Sequence, residues 1–161
     1  MRNTGTLQVT TPTDREFALT RIFDAPRELV FRALTKPELL KQWFGPRGWW
    51  LVVCEVDRKV GGAWRFVMRG PDGSDMGMRG VYREIVSPKR LVYTEMFDGY
   101  PGELKVTTIL VEHAGKTTLT ATILYPSQEI RNLVIKDGME HAAAESYDRL
   151  AEVLASTPAG K

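Results

Sequence analysis

The stretch 138–155, GMEHAAAESYDRLAEVLA, is the one long amphipathic helix in this sequence, and it limits how the rest can be arranged. Met139, Ala143, Ser146, Tyr147, Leu150, Val153 and Leu154 recur three and four residues apart and so share one face. His141, Glu145, Asp148, Arg149 and Glu152 fall on the other. Such a stripe must be buried against another element. Most of 16–125 reads as strand, so the expected partner is a sheet. The helix is uneven in volume. Its first half offers Ala142, Ala143, Ala144 and Ser146, and its second half Tyr147, Leu150 and Leu154. Small side chains either admit a close approach to the sheet or leave space beneath the helix, and the sequence leaves both open.

The sheet is expected from the segments before it. Residues 1–14 are rich in Thr and read as a loose arm. Residues 16–24 alternate apolar and polar and read as a strand. Asp24 before Ala25-Pro26 is a helix-start signal, so a short helix is expected over 26–34 with Leu29, Val30, Ala33 and Leu34 inside. Thr35 is placed to cap a second short helix, 36–44, which stops at Gly45-Pro46. Period-two segments follow at 49–57, 63–69, 76–86, 91–97, 103–112 and 116–125. Turn residues separate them, Gly61-Gly62 and Pro71-Asp72-Gly73 among them. Ser127 caps a helix over 128–136, and Asp137-Gly138 breaks it before the long one. The order is strand, two short helices, six strands, short helix, long helix. Hairpin-linked strands with helices at the ends imply an α+β class with an antiparallel sheet of about seven strands. One domain is expected over 15–156, with flexible ends at 1–14 and 157–161.

The chain has 161 residues, enough to bury about 70% of its unfolded surface without metal or disulfide staples. A formal net charge of +2 with scattered basic residues gives no footing for nucleic acid or an anionic membrane. Cys54 is the single cysteine, so no intrachain disulfide forms. The N-terminus lacks the apolar core of a signal peptide, and no apolar run approaches the roughly 20 residues that span a bilayer. A cytoplasmic location is the expectation.

A set of residues in order resembles a family. Arg21, Asp24-Ala25-Pro26, Val30, Thr35, Pro37-Glu38 and Trp43-Phe44 look like its opening signature. Asp57, Val60-Gly61-Gly62, Gly80, Gly138-Met139 and Asp148-Arg149-Leu150 look like its later marks. The chain is similar to the bacterial branch of the START-like (SRPBCC) superfamily, and resembles the C-terminal domain of the activator of heat-shock-protein-ninety ATPase. The resemblance covers about 17–154. It implies a helix-grip fold, a curved antiparallel sheet around the C-terminal helix with a cavity between them. It also implies that many relatives bind small hydrophobic molecules. Relatives often carry Gly-Trp where this chain has Ala142-Ala143, which would enlarge the cavity unless the sheet refills it. The co-chaperone members carry a further N-terminal domain that is not found in this sequence, which weighs against chaperone activation.

Parity along the strands proposes an inner face. On 63–69 it is Trp64, Phe66 and Met68, since the other parity includes two arginines. On 76–86 it is Met78, Gly80, Tyr82 and Glu84; on 91–97, Leu91, Tyr93, Glu95 and Phe97; on 116–125, Leu119, Ala121, Ile123 and Tyr125. With Met139, Ala143 and Tyr147 from the last helix, the candidate ligand-binding set is Trp64, Phe66, Met78, Tyr82, Tyr93, Glu95, Tyr125, Met139, Ala143 and Tyr147. A mostly apolar pocket with a few aimed polar groups is what a small-molecule site looks like. The same side chains would equally make a plain core. Arg21 lies on the apolar parity of Phe17, Leu19 and Phe23, either paired with an acidic neighbour or anchoring a ligand. Cys54 shares parity with Trp50, Val52 and Val56 and reads as a buried, inert thiol. His113 and His141 lie in a turn and on a polar helix face, so neither a metal nor another cofactor is expected.

Three functions compete. The first is binding of a small hydrophobic or aromatic molecule between the last helix and the sheet. The second is an enzyme of cyclase, dehydratase or hydrolase type in the same cavity, with Glu95, Tyr82 and Tyr93 as acid–base candidates and no catalytic residue assigned. The third is an interaction module, a co-chaperone or a homodimer, suggested by Trp43-Phe44 and Trp49-Trp50.

Overall fold

The computed structural model describes residues 7–99 and 102–157. Tyr100 and Pro101 of the expected loop, and 1–6 and 158–161 of the expected flexible ends, lie outside the described residues. The elements are β1 (Gln8–Thr10), β2 (Glu16–Phe23), α1 (Arg27–Thr35), α2 (Pro37–Trp43), β3 (Trp50–Val56), β4 (Ala63–Arg69), β5 (Asp75–Val86), β6 (Arg90–Phe97), β7 (Leu104–His113), β8 (Lys116–Leu124), α3 (Gln128–Lys136) and α4 (Met139–Ser156). The eight strands form one curved antiparallel sheet in the order β1-β2-β8-β7-β6-β5-β4-β3. The extra strand is β1, which pairs Val9 with Leu19 where only a loose arm is expected. Three residues carry too short an alternation to be read as a strand. No helix among the described residues is long and apolar enough to cross a membrane.

Two helix starts differ from the expectation. Asp24 does not cap α1; the Arg27 amide donates instead to Glu112 Oε1 on β7, at 2.8 Å. Thr35 lies inside α1, where its hydroxyl donates to the Phe31 carbonyl at 2.9 Å, and Pro37 opens α2 without a side-chain cap. Ser127 does cap α3, accepting from the Ile130 amide at 3.1 Å.

Two β-bulges reverse the parity of the strands that carry them, because one extra residue turns all that follow to the opposite face. The irregularity between Leu51 and Val53 buries Leu51 and leaves Trp50 47% exposed. Cys54 therefore shares the inner side with Leu51 and Val56. Burial pushes its thiol up to about 11, which leaves it protonated at neutral pH and a poor nucleophile. The irregularity between Tyr82 and Glu84 turns Ile85 inward, and Glu84, expected inside, is exposed and bonded to Arg90 at 3.0 Å.

The core has two parts. The larger gathers α1, α2, the Leu150–Leu154 half of α4 and the β3–β7 side of the sheet, with Trp43, Trp64, Phe66, Leu110 and Leu150 buried. The smaller gathers Phe17, Leu19, Leu104, Val106, Ile123 and Tyr125 under α3 and the Met139–Ala143 half of α4. Tyr93, Phe97 and Tyr147 touch both.

Candidate functional site

The helix pair α1–α2 is what roofs the site. Leu29, Val30, Phe31 and Ala33 make α1 amphipathic, and α2 adds Leu40 and Trp43. Trp43 is only 4% exposed, and its indole N–H donates to the Ala33 carbonyl at 2.8 Å, which fixes α2 against the end of α1. Between these two helices and the sheet lies a partly open cavity of about 60 Å³. Leu34, Leu40, Trp43 and Phe44 line its helical side, and Trp64, Phe66, Tyr82, Leu91, Tyr93, Glu95 and Thr108 line its sheet side.

Glu95 is the only charged side chain in this lining. Its place two residues from Tyr93 and four from Leu91 along β6 turns it to their inner side, opposite the stretch of β5 between the pairs Arg79↔Met96 and Tyr82↔Tyr93. There the Val81 amide donates to the Thr94 hydroxyl at 3.0 Å, and the Thr94 carbonyl comes so close to Gly80 that a Cβ would sit 1.8 Å from it. No hydrogen bond is made to the Glu95 carboxylate among the described residues. Desolvation pushes the group up to about 7. Burial likewise pushes the Tyr82 and Tyr147 phenols up to about 12 and raises those of Tyr93 and Tyr125, with the Glu95 charge adding to it at Tyr93, Tyr125 and Tyr147. The buried Trp64 Nε1–H and Tyr125 hydroxyl have no hydrogen-bond partner among the described residues.

Of the ten candidate residues, Trp64, Phe66, Tyr82, Tyr93 and Glu95 line the cavity. Met78 is core packing beside Phe66. Tyr125, Met139 and Ala143 belong to the smaller cluster. Tyr147 stands behind the cavity wall, stacked on Trp43 at 6.4 Å and edge-on to Phe23 at 5.9 Å. The described cavity therefore lies beneath α1–α2 and not beneath Ala142-Ala143. Ala143 packs on the smaller cluster, so the small half of α4 gives close approach at that point. Leu34, Leu40, Trp43, Phe44 and Thr108 were not among the candidates. The available signal was the apolar face of the two short helices, inserted where they had to cover part of the sheet.

Two polar arrangements hold α4 beside the site. Arg21, 2% exposed, donates to Asp148 at 2.6 Å and lies 5.3 Å from the Phe23 ring centroid, so the pairing foreseen for it is with this acid. Arg149 Nη1 lies 2.8–3.5 Å from the carbonyl oxygens of Phe44, Gly45, Pro46 and Trp49. The Gly45 and Arg47 amides donate back to Ser146 Oγ and Glu145 Oε1, each at 3.1 Å. The segment that carries the Phe44 wall is thus tied to α4.

The sequence model described as "Activator of Hsp90 ATPase homolog 1-like protein" matches residues 24–155. Among solved structures, one from Rhodobacter sphaeroides is 31% identical over 95% of this chain and 100% of its own, with a TM-score of 0.90. One from Nitrosomonas europaea is 28% identical over 89% of this chain and 96% of its own, with a TM-score of 0.82. An HSP90 activator from Plasmodium falciparum is 26% identical over 68% of this chain and 72% of its own, with a TM-score of 0.54. No curated protein matches the chain.

Proposed function

The chain belongs to the Activator of Hsp90 ATPase homolog 1-like family, and from that premise we propose that it binds a small, largely apolar molecule in the cavity between α1–α2 and the sheet. The observation that carries this is Glu95. A carboxyl with no hydrogen-bond partner among the described residues, set among aromatic side chains, costs the fold stability and invites a guest with a polar group. The volume bounds the guest. About 60 Å³ exceeds the 10–15 Å³ that one water needs and falls short of the ~150 Å³ of a cavity known to admit benzene. The occupant is therefore a small fragment, or α1–α2 yields to admit a larger one.

A thermal-shift and NMR titration with small apolar and aromatic compounds tests this. A guest at about 100 times its Kd adds ~2.7 kcal/mol to stability. Perturbed Trp64 and Tyr93 resonances would place it in the cavity. A library that shifts neither the melting temperature nor those resonances would sink the reading.

A second reading is favoured by the same residue: a carboxyl at about 7 suits general acid–base catalysis near neutral pH. It requires a reaction whose rate changes through that pKa and is lost in Glu95→Gln. The co-chaperone reading rests on the likeness to the HSP90 activator. Of its expected aromatic surface, Trp43 is buried and Phe44 lines the cavity, leaving Trp50 as the well-exposed ring. ATPase stimulation of an Hsp90 by this chain, lost in Trp50→Ala, is the result that would favour it.

A further inference from the structure

Resting on the binding reading above, we propose that the cavity takes a small organic cation, a primary or alkylated ammonium paired with the Glu95 carboxylate inside a ring of aromatic side chains. The rings form an unbroken series. Trp43 lies 5.5 Å from Phe44, Phe44 5.1 Å from Phe66, Phe66 4.8 Å from Trp64, Trp64 5.7 Å from Tyr93 and Tyr93 6.2 Å from Tyr82. All six side chains line the cavity, and among the described residues no lysine or arginine does. Aromatic faces carry a negative quadrupole that attracts an ammonium group, and the attraction grows when water is excluded.

The alternatives use this lining less well. A hydrocarbon guest would leave the carboxyl facing an apolar surface with its desolvation uncompensated. An anion would meet the carboxylate with no cationic side chain among the described lining residues to offset it. A neutral alcohol could satisfy the carboxyl but would gain nothing from its charge. The phenols that feel the Glu95 charge are those of Tyr93 on its own strand, Tyr125 after β8 and Tyr147 on α4, while Tyr82 on β5 shares the cavity lining and Arg21 on β2, engaged by Asp148, faces Tyr147. The phenols are held above their ordinary range by burial and stay neutral near pH 7. Glu95 is therefore the group whose charge changes there.

The test compares methylammonium with methanol, two probes of one carbon skeleton that differ in charge and are small enough for about 60 Å³, by NMR titration of the tryptophan indole signals. At about pH 8 the cation should bind at least ~10-fold tighter. Its affinity should fall roughly 10-fold by about pH 6 as a carboxyl near 7 takes up its proton, while methanol affinity stays level. Glu95→Gln should abolish the cation's advantage and keep methanol binding. Equal binding of the two probes, a cation affinity that does not change between about pH 6 and 8, or an advantage retained in Glu95→Gln would overturn the cation assignment and leave the binding reading standing. The pH dependence is read on the wild-type chain, so it holds even if the variant folds poorly. Binding of neither probe would overturn both.

Discussion

Between about pH 4 and pH 7 the Glu95 carboxyl keeps a proton in the folded chain that it has released in the unfolded one. The folded state then binds more protons, so stability falls as pH rises through this window. The penalty is absent below the unfolded value near 4.3 and complete above about 7, where it amounts to at most ~3.5 kcal/mol. Glu95→Gln should remove that slope. Denaturant midpoints at about pH 4 and pH 8 should show the variant gaining on the wild type by up to ~3.5 kcal/mol across the interval; parallel curves would mean that the carboxyl is solvated. Asp148→Ala should cost about 2–3 kcal/mol. That is less than breaking a fully buried pair, because Asp148 is half exposed while Arg21 is not. Gly80→Ala should cost more than Asp148→Ala, since its Cβ would fall on the Thr94 carbonyl and the Trp64 indole nitrogen; a melting temperature within a few degrees of wild type would contradict that close approach. The interior place of Glu95 was legible from its parity with Leu91 and Tyr93, because the β5–β6 register is the same at Tyr93 and at Phe97. Glu84 was misread by the same rule, because a bulge precedes it and bulges leave no mark in polarity.

The two short helices and the segment after them act as one element. Their starts were legible from Pro26 and Pro37, but not what holds them, since Glu112 and Arg149 lie far away in sequence. Read by helical spacing, Arg149 belongs to a solvated face. In the fold it is partly buried, which lowers its pKa by desolvation, and its guanidinium gathers carbonyls of 44–49. Arg149→Leu should cost about 2–3 kcal/mol by leaving those carbonyls unpaired. Amide exchange in 45–49 should rise more than in the β2–β8 strands; uniform exchange across the chain would mean that the arginine supports the whole fold and not this segment. Arg149→Lys should recover part of the loss, because an ammonium cannot present the guanidinium's planar fork.

For the whole molecule, the α+β class and the hairpin order followed from turn residues and period-two runs, and β4 and α3 lie at the expected bounds. The position of the cavity did not follow. Parity shows which side of a sheet is inward but not which helix covers which part, and both the long helix and the short pair carry an apolar face that could cover it. A variant that fills the space separates these levels. Leu34→Phe adds volume facing the cavity and should block any guest while moving the melting temperature by only a few degrees. Unchanged guest binding in that variant would place the site elsewhere.

The pairing of β2 with β8 sets when this chain can fold. Glu16 lies opposite Leu124 and Phe23 opposite Thr117, and the Arg21–Asp148 contact joins residues 127 positions apart. Closing such large loops costs entropy before any contact returns it, so folding should be slow for a chain of this size. During synthesis, β2 has no neighbour toward the middle of the sheet until β8 has been made. Phe17, Leu19 and Phe23 then wait in an apolar segment without its lasting partner, and this interval is when the nascent chain most needs protection from aggregation.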